Sequence, residues 1–318
     1  MKRIVVAALA ALALCAGRAR AEYPERPIKV ITTSSAGGLS DTFMRVLDQA
    51  LRPALGQALI IENKPGGAGN IAARSCQDAA PDGYTICILN VDTAAYNQFL
   101  FKSLSFEPDK LVPIVNLFNI IQALVINADL KAESVDELIA LSKQKPGTLS
   151  YLTASLQLVV YMERMKKEKG ADWVRVPFRG GGEATNAVLS GSTPIALIGI
   201  GNVMGHINAG KMRALVLANN IRTPLLPKTP TLADLGYTGP ASRTWYGLFA
   251  PPGTPKPIVD KLNAEIRKVV SDKAFQDKYL IARGLVPAIG TPDEFAKEIA
   301  QDRKDAKDVV KESGMQPQ

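Results

Sequence analysis

The sequence predicts an α/β protein of two lobes. Three observations carry that expectation: the length, the alternation of short apolar runs with amphipathic stretches, and glycine-rich loops where a strand turns into a helix. The chain has 318 residues, and the roughly 300 left after the leader described below exceed the size at which one core keeps growing. Residues 27–32, 58–62 and 84–89 read as apolar strands. Between them, residues 41–51 place Phe43, Val46, Leu47, Ala50 and Leu51 on one helical face, and 71–80 form a shorter helix. Such alternation implies a largely parallel sheet covered on both faces.

The first 21 residues read as a leader. Lys2 and Arg3 precede an apolar run from Ile4 to Ala16, and Ala19-Arg20-Ala21 supplies a small-residue cleavage site, as in a secretory signal peptide. The run is too short to span a bilayer, which takes about 20 residues. Leu14 before Cys15 argues against a lipid-anchored start. Export to the periplasm, with cleavage after Ala21, is therefore expected. Four of the basic residues leave with the leader (Lys2, Arg3, Arg18, Arg20), which halves the formal net charge of +8. The remaining Lys and Arg are scattered, with no aromatic-interleaved basic stripe of the kind that binds nucleic acid.

The middle of the chain repeats the alternation. Ser134 and Glu137 open a helix that Pro146-Gly147 stops, and residues 148–153, 157–169, 173–177, 183–190, 194–199, 203–209 and 212–218 alternate strand and helix. Residues 245–249 read as a buried strand. Thr254-Pro255 and Thr291-Pro292-Asp293-Glu294 each open a long helix.

Three loops could hold an anion. Ser34-Ser35-Ala36-Gly37-Gly38-Leu39-Ser40-Asp41 has few bulky Cβ atoms, so backbone N–H groups and a helix N-terminus can reach a ligand. The same residues also suit a tight turn with Ser40 as N-cap and Asp41 on the helix dipole. Residues 65–70 and 179–183 are the other two. None has the ending of a phosphate-binding P-loop, and the first departs from the dinucleotide fingerprint, so no nucleotide and no other cofactor is expected. One histidine, His206, leaves little for a catalytic triad or a metal site, and the carboxylates show no acid/base spacing. Cys76 and Cys87 are either bridged or two small buried residues.

Longer motifs carry a resemblance. YPERPI at 23–28, AGGLSD at 36–41, LGQ at 55–57, ENKPGGAGNIA at 62–72, PDGYT at 81–85, VPFRGGGEA at 176–184, AGKMRAL at 209–215 and WYGLFAPPGTP at 245–255 resemble the substrate-binding components of tripartite tricarboxylate transporters, the Bug proteins. The motifs span nearly the whole mature chain in order. The resemblance implies a type II periplasmic binding fold with a ligand cleft between lobes, the first comprising residues 22–123 and 244–318 and the second 124–243. It implies capture of a small organic carboxylate by lobe closure, delivery to membrane permease subunits, a monomeric receptor and no enzymatic step. A sensor presenting its liganded form to a membrane receptor, or an exported enzyme, are the alternatives.

By the same resemblance the ligand is held by Ser34, Ser35, Ala36, Gly37, Gly38, Ser40 and Asp41, by Asn90, Asp92 and Thr93, and from the other lobe by Thr153, Ala154, Ser155 and Leu156. Gly180, Gly181, Gly182 and Glu183, with Gly201 and Asn202, complete the set. This sequence departs from the family where Leu156, Leu158 and Val159 stand in a loop usually rich in Gly and Ser. Either these residues form an apolar wall, favouring an aromatic acid or a dicarboxylate over citrate, or they begin a helix and face the core.

Overall fold

The computed structural model describes residues 23–153, 155–176, 181–237 and 243–317; the leader, Ala154 and Gly180 fall outside them. The chain forms β1 (Ile28–Thr32), α1 (Leu39–Leu55), β2 (Leu59–Asn63), α2 (Asn70–Gln77), β3 (Thr85–Asn90), a π-type turn Asp92–Tyr96 and α3 (Asn97–Leu100). The strands β4 (Val112–Ile120) and β5 (Gln122–Asn127) follow, then α4 (Val135–Gln144), β6 (Ser150–Thr153), α5 (Leu156–Lys169), β7 (Val174–Arg175) and α6 (Gly181–Ser190). The remainder is β8 (Ile195–Gly199), α7 (Met204–Asn208), β9 (Met212–Leu217), β10 (Trp245–Ala250), α8 (Lys256–Val270), α9 (Lys273–Tyr279), β11 (Leu285–Pro287) and α10 (Pro292–Ser313).

Helix boundaries follow local chemistry. The α1 stripe Phe43, Met44, Leu47, Leu51 and Leu55 is buried, and Gly56, in the left-handed region, closes the helix by donating to Arg52 O. At α10 the Thr291 hydroxyl accepts from Glu294 N while the Glu294 carboxylate accepts from Thr291 N, a complete capping box. Ser134 accepts from Glu137 N as expected, but the Glu137 carboxylate reaches Glu133 N instead of Ser134 N.

Two sheets result, a six-stranded one in the order β11-β4-β10-β3-β1-β2 and a five-stranded one in the order β7-β6-β8-β5-β9. The expectation of largely parallel sheets is corrected. β1 is parallel to β2 and β3, but β10 is antiparallel to β3 and β4, and β11 to β4. In the second sheet β6 is parallel to β7 and β8, whereas β5 is antiparallel to β8 and β9. Connectivity is the reason. β4 carries the chain out of the first lobe and β10 brings it back, so these neighbours must run in opposite senses.

Cys76 on α2 and Cys87 on β3 are bridged, with Cα atoms 5.9 Å apart and both residues buried. The reading that left the pair open is settled in favour of the disulfide, which pins α2 to the sheet beneath it. Trp245, Phe249 and Phe295 cluster with ring centroids 5.0–6.3 Å apart, and Trp245 Nε1 donates to Asp302 at 2.7 Å.

The two lobes share apolar packing as well as crossing strands. Leu156 and Val160 of α5, in the second lobe, sit in one buried cluster with Trp245, Phe295, Val309 and Val310 of the first. Leu158 and Met162 face the second lobe's own core. Gln157 Nε2 donates to the buried Tyr96 hydroxyl across the lobes, and Arg164 pairs with Glu312 at 2.6 Å.

Candidate functional site

The loop between β1 and α1 is tied up within itself. Ser40 Oγ lies 2.5 Å from Thr32 Oγ1 and 2.6 Å from Ser34 Oγ, and Ser34 N donates to Thr32 Oγ1. Asp41 reaches back to accept from Gly37 N at 2.9 Å, and its carboxylate also takes Asn63 Nδ2 and Arg45. These donors, Arg45 first, hold the Asp41 carboxyl at about 2, below its ordinary value. Ser40 is therefore not the N-cap. The helix starts two residues earlier, at Leu39, with Gly38 at the cap and no side-chain bond to it, because the Ser40 hydroxyl is engaged with Thr32 and Ser34. Ser35 and Ala36 are exposed at the loop tip.

The second glycine loop also turns inward. A Cβ on Gly69, whose φ is 90°, would come within 2.2 Å of Thr93 Oγ1, so only glycine lets the loop lie against that side chain. Thr93 is fully buried, bonding Asn90 Oδ1 at 2.7 Å and Ala68 O at 3.2 Å. Thr153 and Ser155 are buried, with Thr153 Oγ1 accepting from Ser155 N and Ser155 Oγ donating to Gln157 Oε1.

Between the sheets lies a cavity of about 590 Å³. The first lobe contributes Gly37, Leu39 and Thr42 from the start of α1, Asn90 and Asp92 from the end of β3, and Arg283 and Leu285 beside β11. The crossing segments contribute Ile120, Gln122, Thr244 and Tyr246; the second lobe contributes Leu197, Ile198, Gly199, Gly201 and Asn202. Five aliphatic side chains thus line a space whose charged side chains are Asp92 and Arg283. The Leu280–Gly284 turn brings Arg283 here. Gly284 O accepts from Ile121 N at 2.9 Å, and a Cβ on Gly201 would lie 2.2 Å from Arg283 O, so this backbone approach requires glycine at 201.

Of the ligand residues expected from sequence, Gly37, Asn90, Asp92, Gly201 and Asn202 line this cavity. Ser34, Ser35, Ala36, Gly38, Ser40, Asp41, Thr93, Thr153 and Ser155 are not among its lining residues. Glu183 lines a separate hollow with Leu152, Asn186 and Thr193. Gly181 and Gly182 begin α6, whereas Gly180 and Ala154 lie outside the described residues. Leu156, Leu158 and Val159 are buried away from the cavity, so the second of the two readings of this segment holds: it begins a helix and packs. An apolar wall exists, but it is made by Leu39, Ile120, Leu197, Ile198 and Leu285. Sequence reading did not name these, nor Thr42, Tyr246 and Arg283, as ligand residues; Leu39 and Tyr246 lie within the motifs at 36–41 and 245–255, whereas no local motif marks the others, each being ordinary in its own element.

Asp92 and Tyr246 are perturbed. Burial alone pushes the Asp92 carboxyl up to about 6. Burial also pushes the Tyr246 phenol up to about 12, with Asp92 adding to it and hydrogen bonds to Thr33 and Ser34 opposing it. Among the described residues no cluster of His, Cys, Asp or Glu could hold a metal ion, and no helix is long and apolar enough to cross a membrane.

Two α/β lobes joined by crossing strands, with one cavity lined from both, define a two-lobed solute-binding protein of the type II periplasmic fold. Residues 43–315 match the tripartite tricarboxylate transporter family receptors, and the chain belongs to that family, one of receptors and not of enzymes. It is 32% identical to protein BugT of Bordetella pertussis over 92% of this chain and 90% of that one. Among solved structures it resembles Rpa4515 of R. palustris with adipate, at a TM-score of 0.83 and 25% identity over 93% of this chain and 100% of that one. It also resembles MatC from Rhodopseudomonas palustris with bound malate, at a TM-score of 0.77 and 28% identity over 91% of this chain and 100% of that one.

Proposed function

We propose that the protein is exported to the periplasm, captures a small organic carboxylate in the cavity between its lobes, and delivers it to the membrane subunits of a tripartite tricarboxylate-type transporter. The observation that carries this reading is a single cavity lined by the ends of β3 and β8, by both crossing segments and by Arg283. A ligand there touches both lobes at once, which is what coupling capture to lobe closure requires. Arg283 takes part in no ion pair among the described residues and supplies the positive charge for one carboxylate. The aliphatic wall suits an apolar body. A tricarboxylate would bring three charges to a cavity with one cationic side chain, so an acid with one or two carboxylates and an apolar middle is favoured over citrate. The adipate and malate bound by relatives are both dicarboxylates, adipate with an apolar middle and malate with a hydroxyl on a shorter one.

A thermal-shift screen of the mature protein against mono-, di- and tricarboxylates and aromatic acids tests the reading, because binding to the native state raises apparent stability. A saturable upward shift with mono- or dicarboxylates is expected. No shift with any acid, or conversion of one to a product, overturns it.

A further inference from the structure

Asp92 is an unusual group to find in a cavity for an anion. It lies two residues beyond the end of β3, partly buried, and its one hydrogen bond among the described residues is a 3.4 Å contact from Asn90 Nδ2. Asn90 is fixed in that orientation, because its Oδ1 accepts from Thr93 N and Thr93 Oγ1. The other titratable groups facing Asp92 are phenols: Tyr246 from β10 and Tyr96 from the turn that Asp92 opens, both pushed up in part by its charge. Tyr246 is engaged with Thr33 and Ser34. Arg283 lines the same cavity, but no ion pair joins it to Asp92 among the described residues. The cavity thus presents a cationic side chain and, apart from it, a carboxyl short of hydrogen-bond donors.

We propose that Asp92 is a specificity-determining residue that selects carboxylates carrying a hydrogen-bond donor, a hydroxyl or an ammonium group, over the unsubstituted acid of the same chain length. The inference rests on the carboxylate reading above and adds the second functional group. An ionised carboxylate only accepts, and enclosing it without donors is costly. A ligand that brings a donor removes that cost. A plain acid leaves Asp92 two options: to be enclosed unpaired, or to take up a proton. Since Asp92 titrates near 6, the second option makes plain-acid binding weaken as pH rises above that value, by up to about tenfold per unit.

Calorimetry on the mature protein with two matched series tests this: succinate, malate and aspartate, and adipate, 2-hydroxyadipate and 2-aminoadipate. In at least one series the substituted acids should bind tenfold or more tighter than the plain acid at pH 8, with the gap narrowing by pH 5. Asp92→Asn should bring the members of that series within about threefold of one another at pH 8. Plain-acid binding by the wild-type protein, repeated in buffers of different ionisation enthalpy, should show proton uptake, a readout that holds even if the variant fails to fold. Equal affinities within every series at pH 8, or a gap that survives in folded Asp92→Asn, overturns the specificity role while leaving carboxylate capture standing. Absence of binding by all six acids overturns the specificity role, and carboxylate capture falls with it if the wider thermal-shift screen is also silent.

Discussion

The β1–α1 loop and the cavity wall it adjoins at Gly37 are built on opposite plans. In the loop the buried polar side chains have found partners inside the protein: Ser34, Ser40 and Thr32 bond one another, and Asp41 collects Gly37, Asn63 and Arg45. On the wall, Asp92 has one long hydrogen bond and Arg283 no ion pair among the described residues. Internal satisfaction makes the loop a scaffold. Recognition falls to the groups left wanting, because only they gain when a ligand arrives.

That contrast can be broken experimentally, starting with the largest effect. Gly69→Ala places a Cβ against Thr93 Oγ1 in a backbone conformation that disfavours side chains. It should destabilise the fold by about 3 kcal/mol, measured by urea unfolding. Arg283→Gln, at an exposed side chain, should leave unfolding unchanged while weakening carboxylate binding by about 2 kcal/mol, or roughly 30-fold by calorimetry. Equal affinity in that variant would move recognition back to the loop.

Asp41→Asn should destabilise by about 1–2 kcal/mol at pH 7, since it removes a charged acceptor of three donors. The sign of the pH dependence follows from the carboxyl held at about 2 in the fold against about 4 when unfolded. Its contribution is complete above pH 4 and is lost as pH falls towards 2, so the difference between wild type and variant in urea midpoints should shrink over that interval. Ser35→Ala, at the exposed loop tip, should change stability by less than about 0.5 kcal/mol and affinity by less than about twofold. A tenfold loss of affinity would show that the tip folds over the ligand.

Much of the architecture was legible because it is written locally. The α10 start is visible in Thr291-Pro292-Asp293-Glu294, and the α1 stripe in its spacing. The strands β4 and β5 were not, since residues 111–127 are mostly apolar, with Asn116, Asn119 and Gln122 at irregular spacing, no glycine and only Pro113 to punctuate them. The break between two sheets falls at Ile121, a residue like its neighbours. The site was legible where it coincides with strand ends: Asn90, Asp92, Gly201 and Asn202 stand where ligands of α/β folds gather. Arg283 was invisible because it reaches the cavity through the close packing of Gly201 and Gly284, a contact between segments about 80 residues apart. The glycine loops misled in part. Glycine permits close approach of any backbone, and Gly69 uses it for Thr93 instead of a ligand.

The burial of Leu156 and Val160 in the first lobe's core bears on how the receptor can move. The lobes are joined along two lines, the crossing strands on one side and the α5–α10 seam on another. Separating the seam would return both side chains to water, at about 1.5–3 kcal/mol each. Turning about an axis that runs through both attachments exposes neither, so the least expensive opening has a single rotational degree of freedom. Spin labels placed across the cavity should then report a distance that changes with ligand, while a pair across Arg164 and Glu312 stays fixed.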